Sequence, residues 1–179
     1  MISVGIVGAS GYTGEELAKI LVTHPKVELK ALTSSTHEGK EINSVFKLNK
    51  KISGTFKSPK VENLRDCDVV FFATPNGVAM NMARDLLELD IRIIDISADF
   101  RLPSADQWKQ WYGQEHVSPQ LLNESVYGLP EIHGQREKIR HAKIVANPGC
   151  YPTSMLLGIL PIVDLLPEQT IIVDAKSGI

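Results

Sequence analysis

The sequence predicts a doubly wound α/β domain, a parallel sheet with helices on both faces. Two observations carry that expectation. The chain opens strand, turn, helix, strand, and the same alternation returns between residues 67 and 97. Parallel strands joined through helices place those helices on the sheet faces.

In order, Ile2 to Val7 is a short apolar run, followed by a helical stretch in which Leu17, Ile20 and Leu21 share one face. Val27 to Thr33 reads as the second strand. Thr36 to Lys60 has no sustained period and reads as an excursion with at most one short strand near Lys50 to Phe56. Cys67 to Ala73 is the next strand, Val78 to Leu89 a helix and Ile91 to Ser97 a strand. Pro103 to His141 scatters Trp108, Trp111, Tyr112 and Tyr127 among polar residues, a pattern of short helices and ordered loops laid against a sheet. A strand at Lys143 to Ala146, a helix at Tyr151 to Val163 and a strand at Thr170 to Ala175 complete the expected order.

At 179 residues the chain is long enough for one domain with a sizeable core, or for one domain plus the start of a second. Its ending, DAKSGI, has no cap or polar tail and reads as cut rather than finished. The net charge of -2, from 19 basic and 21 acidic residues without a long run of either sign, leaves no footprint for nucleic acid. No apolar stretch approaches the ~20 residues of a membrane span, and no signal-peptide pattern opens the chain. Two separated cysteines, Cys67 and Cys150, make no disulfide framework and suit a reducing cytoplasm.

Gly8, Gly11 and Gly14 stand between the first strand and the first helix, where backbone N–H groups can approach a pyrophosphate closely. With Ser10, Tyr12 and Thr13 they read as the cofactor turn of a Rossmann-like fold; a glycine-rich turn with no ligand is the alternative. Where an NAD-specific fold carries an acidic residue, after the second strand, this chain has Ser34 and Ser35, with no carboxylate before Glu38. A carboxylate would repel a 2′-phosphate and hydroxyls can donate to it, so NADP is expected over NAD. Thr74 and Pro75 after the third strand, with Ser97 and Ser177, are further cofactor candidates.

Asn147-Pro148-Gly149-Cys150-Tyr151-Pro152-Thr153 follows a predicted strand and opens a predicted helix. Open N–H groups at a helix start favour an anion, which makes Cys150 a candidate nucleophile; a small buried apolar residue is the alternative. Pro152 suits the first helical turn. Cys67 heads an apolar strand and reads as structural. Arg101 lies just past the strand carrying Asp95, at the carboxyl edge where such sheets bind ligands, and with Asn147 is a candidate for phosphate binding. Its alternative is a surface arginine paired with Asp99 or another loop carboxylate.

GASGYTGEEL, ATPNGVA, DISADFRL, VYGLPE and above all NPGCYPT strongly resemble N-acetyl-gamma-glutamyl-phosphate reductases, in order along essentially the whole chain. The resemblance implies NADPH-dependent reduction of N-acetyl-L-glutamyl 5-phosphate to the 5-semialdehyde and phosphate, through a Cys150 thioester, in arginine biosynthesis. It implies residues 1–149 as the NADP-binding domain and 150–179 as the catalytic-cysteine helix and the start of an α+β domain for substrate binding and oligomerisation. The complete protein is then expected to form a homo-oligomer.

The family carries its catalytic histidine beyond this stretch, so His24, His37, His116, His133 and His141 are expected in surface or core roles. The chain alone is therefore expected to be inactive, and an inactive NADP-binding module is one rival reading. Many members carry an arginine where this chain has Ser35, which puts the tightness of 2′-phosphate binding in question. The lysine-pathway aminoadipyl-phosphate reductases share the NPGCYPT-like core and are the enzyme rival. The Ser97 to Arg101 stretch also resembles a loop of aspartate-semialdehyde dehydrogenases in which the arginine meets substrate phosphate. The resemblance implies no metal.

Overall fold

Strand β1 (Ile2–Val7) is buried on both sides, and this sets the layering of the molecule. Val4 and Ile6 join one apolar cluster with Leu32, Phe46 and Phe56, while Val7 joins a second with Phe72, Ile93 and Trp108. A strand covered on both faces belongs in the middle of a parallel sheet with crossover helices. The computed structural model describes residues 1–46, 52–166 and 170–176.

The other strands are β2 (Val27–Thr33), β3 (Val69–Phe72), β4 (Arg92–Asp95), β5 (Ser125–Tyr127) and β6 (Ile144–Ala146). They lie in the order β2-β1-β3-β4-β6-β5, every neighbouring pair parallel. Helix α1 (Tyr12–Leu21) packs Ala18 and Leu21 into the Val4 cluster, and α3 (Val78–Glu88) packs Ala79, Met80, Ala83 and Leu86 into the Val7 cluster. Between them runs a single helical turn, α2 (Ile42–Val45). From β1 the chain moves to β2 on one side and then to β3 on the other, so the winding reverses between β1 and β3. Ligands bind at the carboxyl ends of strands at such a reversal.

The expected alternation therefore stands, with corrections. The strand expected at Thr170 to Ala175 is absent: residues 170–176 pair with no strand among the described residues, and Ile171, Ile172 and Val173 remain exposed. Their branched side chains favour extended backbone, but a strand also needs a partner ladder. Ile20 points away from the sheet at 64% exposure, because the buried stripe of α1 runs through Gly14, Ala18 and Leu21, the first two small enough to let the helix sit close. Residues 47–51 lie outside the described residues; next to them Thr55 and Lys57 form isolated bridges to Glu41 and Thr33 rather than a strand. The last long helix divides into α6 (Cys150–Ile159) and a 3-10 turn over Leu160–Leu165, since Pro161 lacks the N–H that would continue it.

The polar stretch 103–141 does form short helices, α4 (Ala105–Tyr112) and α5 (Gln135–His141), and also the unforeseen edge strand β5. Gly128 just after β5 donates to Ala146 O at 2.8 Å, and a Cβ there would lie 2.7 Å from Val145 Cγ1. That close approach seats the edge strand.

What positions the functional residues is the buried loop after β4. Four of its carbonyls find a side-chain donor: Arg101 Nη2 on Ile96 O at 2.7 Å, Trp108 Nε1 on Ala98 O at 3.0 Å, His116 Nε2 on Asp99 O at 2.8 Å, and Ser125 Oγ on Phe100 O at 3.1 Å. His116 Nδ1 accepts from Ser118 N, which leaves its proton on Nε2. On the donor side Asp95 accepts from Ser97 N, Ser97 Oγ and Phe100 N. Unpaired polar backbone buried at this depth would cost about 1–3 kcal/mol per group, so the loop's conformation depends on those side chains, Arg101 among them.

Burial pushes the Asp95 carboxyl up to about 6, with the Ser97 hydrogen bond pulling against it and the Asp99 charge adding to it. The folded chain thus keeps this proton to higher pH than the unfolded chain does. Between about pH 4 and pH 6 the native state binds more protons at Asp95, and stability from this group falls as pH rises, by up to about 1.4 kcal/mol per pH unit. Above that window both states are ionised and the penalty is constant. Urea unfolding of Asp95→Asn across this range should lack that component of slope; a slope equal to wild type would assign the titration to another group.

Candidate active site

The glycine turn sits at the carboxyl end of β1 on the reversal point. Gly8 has a φ of 78°, and a Cβ there would stand 2.4 Å from Ala73 O at the end of β3. A Cβ on Gly14 would stand 2.4 Å from Gly8 O. These two glycines are demanded by packing. Gly11, by contrast, starts α1 with no side-chain cap, and a Cβ there would meet only Gly8 O at 3.5 Å, so the helix start is left open to a ligand.

A cleft of about 250 Å³ opens there, lined by Gly11, Tyr12 and Thr13 on one side, Thr74 and Pro75 on the other, and Ile96 behind. Thr74 Oγ1 is buried without a hydrogen-bond partner among the described residues. An orphaned hydroxyl beside a bare helix start suits a ligand that brings acceptor oxygens.

Ser34, expected as a donor to the cofactor, is only 2% exposed. Its Oγ lies 2.7 Å from Ser10 Oγ and accepts from Thr36 N at 3.3 Å and His37 N at 3.1 Å. It ties the glycine turn to the turn after β2; of the two exposed residues beside it, Thr36 has its Oγ1 2.9 Å from His37 Nδ1, and Ser35 presents its hydroxyl at the surface. Ser97 also departs from expectation, since its hydroxyl donates to Asp95 at 2.5 Å and lines neither cleft. Ser177 lies outside the described residues.

Cys150 is exposed as the first residue of α6, after the uncapped Gly149. It lines a cleft of about 400 Å³ with Arg101, Leu102, Tyr112, Tyr127 and Tyr151. Arg101 donates from Nε to Asn147 O at 2.8 Å and from Nη2 to Ile96 O at 2.7 Å, bridging the carboxyl ends of β4 and β6. Nη1 faces the start of the thiol helix, 3.3 Å from where a Cβ on Gly149 would lie. Arg101 makes no ion pair with Asp99, which turns toward α3 instead.

Asn147 serves through its backbone: its Nδ2 donates to Pro148 O at 3.0 Å, and it lines neither cleft, against the expectation of a ligand-facing side chain. Tyr112 and Tyr127 are wall residues that sequence reasoning took only for ordering aromatics. Burial raises the Tyr127 phenol and the Arg101 charge pulls it back, so the phenol stays a proton donor at neutral pH. None of the five histidines lines either cleft; His116 is buried against Phe100 and Trp108. Among the described residues no cluster of His, Cys, Asp or Glu could hold a metal ion, and no helix is long and apolar enough to cross a membrane.

A parallel sheet with a glycine turn at its reversal point describes a dinucleotide-binding α/β domain, and this one also presents an exposed thiol at its carboxyl edge. Residues 3–142 match the family described as semialdehyde dehydrogenase, NAD binding domain, and the chain belongs to that family. Over its whole length it is 50% identical to N-acetyl-gamma-glutamyl-phosphate reductase of Thiobacillus denitrificans and 48% identical to the protein of that name from Nitrosomonas europaea. The chain spans 53% of each of those relatives. Among solved structures, aspartate semialdehyde dehydrogenase with NADP from Candida albicans superposes with a TM-score of 0.61 at 18% identity, over 92% of this chain and 47% of that one. That likeness concerns the fold.

The two cysteines should separate cleanly under alkylation. Burial pushes the Cys67 thiol up to about 11. At pH 8 roughly one part in a thousand of it would be thiolate, even were it accessible. Iodoacetamide on the native chain should therefore label Cys150 alone, with Cys67 reacting only after denaturation, as peptide mass spectrometry would show. Equal labelling of both would contradict the burial assigned to Cys67.

Proposed function

We propose that this chain holds NADPH and the nucleophile of an acyl-phosphate reductase, acting on N-acetyl-L-glutamyl 5-phosphate in the complete enzyme. One observation carries the reading: Cys150 and Arg101 share one cleft, and Ile96, whose carbonyl Arg101 holds, lines the adjoining glycine-turn cleft. The names of the relatives support this substrate. We place the division of the protein at residues 149 and 150, because α6 and the turn after it bury no side chain among the described residues.

The chain's residues fit the cofactor. Gly8, Gly11 and Gly14 would admit its pyrophosphate, with Ser10 tying the turn; Tyr12, Thr13, Thr74 and Pro75 wall it in. Ser35 and Thr36 would meet the 2′-phosphate at a place without a carboxylate. When bound, NADPH supplies the hydride that reduces a thioester carbonyl to the semialdehyde.

The chemistry of the chain itself precedes that. Cys150 Sγ attacks the acyl carbonyl, a carbon–sulfur bond forms, and the carbon–oxygen bond to phosphate breaks. Arg101, with Nε and one N–H of Nη2 given to backbone carbonyls, has both N–H bonds of Nη1 to offer to the leaving phosphate. The open N–H groups at the start of α6 are placed to receive the developing oxyanion.

Fluorescence titration should give tighter binding of NADPH than of NADH. Ser35→Asp should weaken NADPH tenfold or more, about 1.4 kcal/mol, while leaving NADH nearly unchanged. Equal affinities in the wild type would remove the NADP assignment. In the complete enzyme Cys150→Ser should still bind NADPH yet lose nearly all acyl-phosphate reduction, since a hydroxyl is hardly ionised at neutral pH; retained turnover would rule out the thioester.

A further inference from the structure

We propose that the Asp99 carboxylate couples the two clefts, so that an anion held by Arg101 and a dinucleotide in the glycine-turn cleft bind with positive cooperativity. This rests on the assignment of the two clefts made above. Asp99 touches neither ligand and is a positioning residue.

Asp99 is completely buried, two residues before Arg101, yet faces the start of α3. Its oxygens accept the N–H of Gly77 at 2.8 and 3.0 Å and that of Met80 at 3.0 Å. The residue starting that helix, Gly77 at a φ of 95°, has no side chain to cap it, so the cap comes from a loop on the next strand. A second tie runs beside the first, where Ala98 N donates to Asn76 Oδ1 at 3.2 Å. Loops 73–77 and 96–101 are thereby one body.

The first of these loops gives Ala73, Thr74 and Pro75 to the cofactor cleft. The second gives Ile96 to that cleft and Arg101 to the thiol cleft, and Arg101 itself holds Ile96 O. An anion drawn onto Nη1 therefore restrains Arg101 and, through Ile96 O, the loop that carries Asp99 between them. The cost of ordering a shared body is met once, so the second ligand binds a site already arranged. Linkage makes the effect reciprocal.

The test is titration of the chain with NADPH, with and without saturating inorganic phosphate. Phosphate also competes for the cofactor's own phosphate sites, and Arg101→Ala measures that competition alone. Relative to Arg101→Ala, phosphate should tighten NADPH binding to wild type about fivefold or more. Asp99→Asn and Asn76→Ala should each bring that ratio toward one while still binding NADPH, which a purely structural role would not do. Hydrogen exchange gives a second readout: phosphate should slow the Gly77 and Met80 amides in wild type and leave them unaffected in Asp99→Asn.

Should Asp99→Asn fail to fold, Asn76→Ala, whose side chain is exposed, decides the matter. A ratio of one in wild type, or a full ratio in the variants, overturns the coupling and leaves the cofactor assignment standing. A wild-type chain that binds no NADPH overturns both.

Discussion

The structure depends on satisfying the polar groups of the loop that leaves β4. That loop enters the space between the sheet edge and α4, where Phe100 and Trp108 are buried and water does not reach. Its backbone must be paired by side chains, and the residues that do so come from distant parts of the chain: Trp108 from α4, His116 from the loop after it, Ser125 at the start of β5. Two carboxylates, Asp95 and Asp99, take up the N–H groups that remain. Ionised groups at such depth are costly unless hydrogen-bonded, and both are.

Arg101 ends that loop with its orientation decided by the same rule. Two of its nitrogens complete the carbonyls of Ile96 and Asn147, which leaves the third toward Gly149 and the thiol helix. A guanidinium fixed by backbone carbonyls keeps its full charge, whereas one paired with a carboxylate would present little field to an incoming phosphate. The two kinds of charge part company over seven residues: Asp95 and Asp99 accept from backbone N–H groups, and Arg101 turns Nη1 to the thiol cleft.

The two cysteines show how placement divides one chemistry into two fates. Cys67 lies under Leu64 and Gly5 at the start of β3, where desolvation holds it as a thiol. Cys150 stands at an uncapped helix start on an exposed helix, open to solvent. Ser34 and Ser35 divide in the same way: the first is consumed as an internal acceptor, and its neighbour is exposed.

The sequence by itself determined the sheet's parallel winding, the glycine turn and the place of an exposed cysteine at a helix start. Each of these is local: apolar runs of strand length between helical periods, glycines where a Cβ would strike Ala73 O or Gly8 O, and a cysteine following Pro-Gly at a helix start. Tertiary structure alone decided which side chains of those motifs face a ligand. Ser34, Ser97 and Asn147 carry the right chemistry at the right places in the chain, but Thr36 and His37, Asp95, and Pro148 respectively take up their polar atoms. Tyr112 and Tyr127, unremarkable in sequence, become walls of the thiol cleft because β5 pairs with β6 and α4 stacks Trp108 against Tyr112. The strand expected at 170–175 had the composition and found no partner among the described residues. Propensity and motif are properties of a few neighbouring residues, whereas a hydrogen-bond partner, a ladder or a cleft wall is supplied from elsewhere in the chain, and only the folded arrangement says which one arrives.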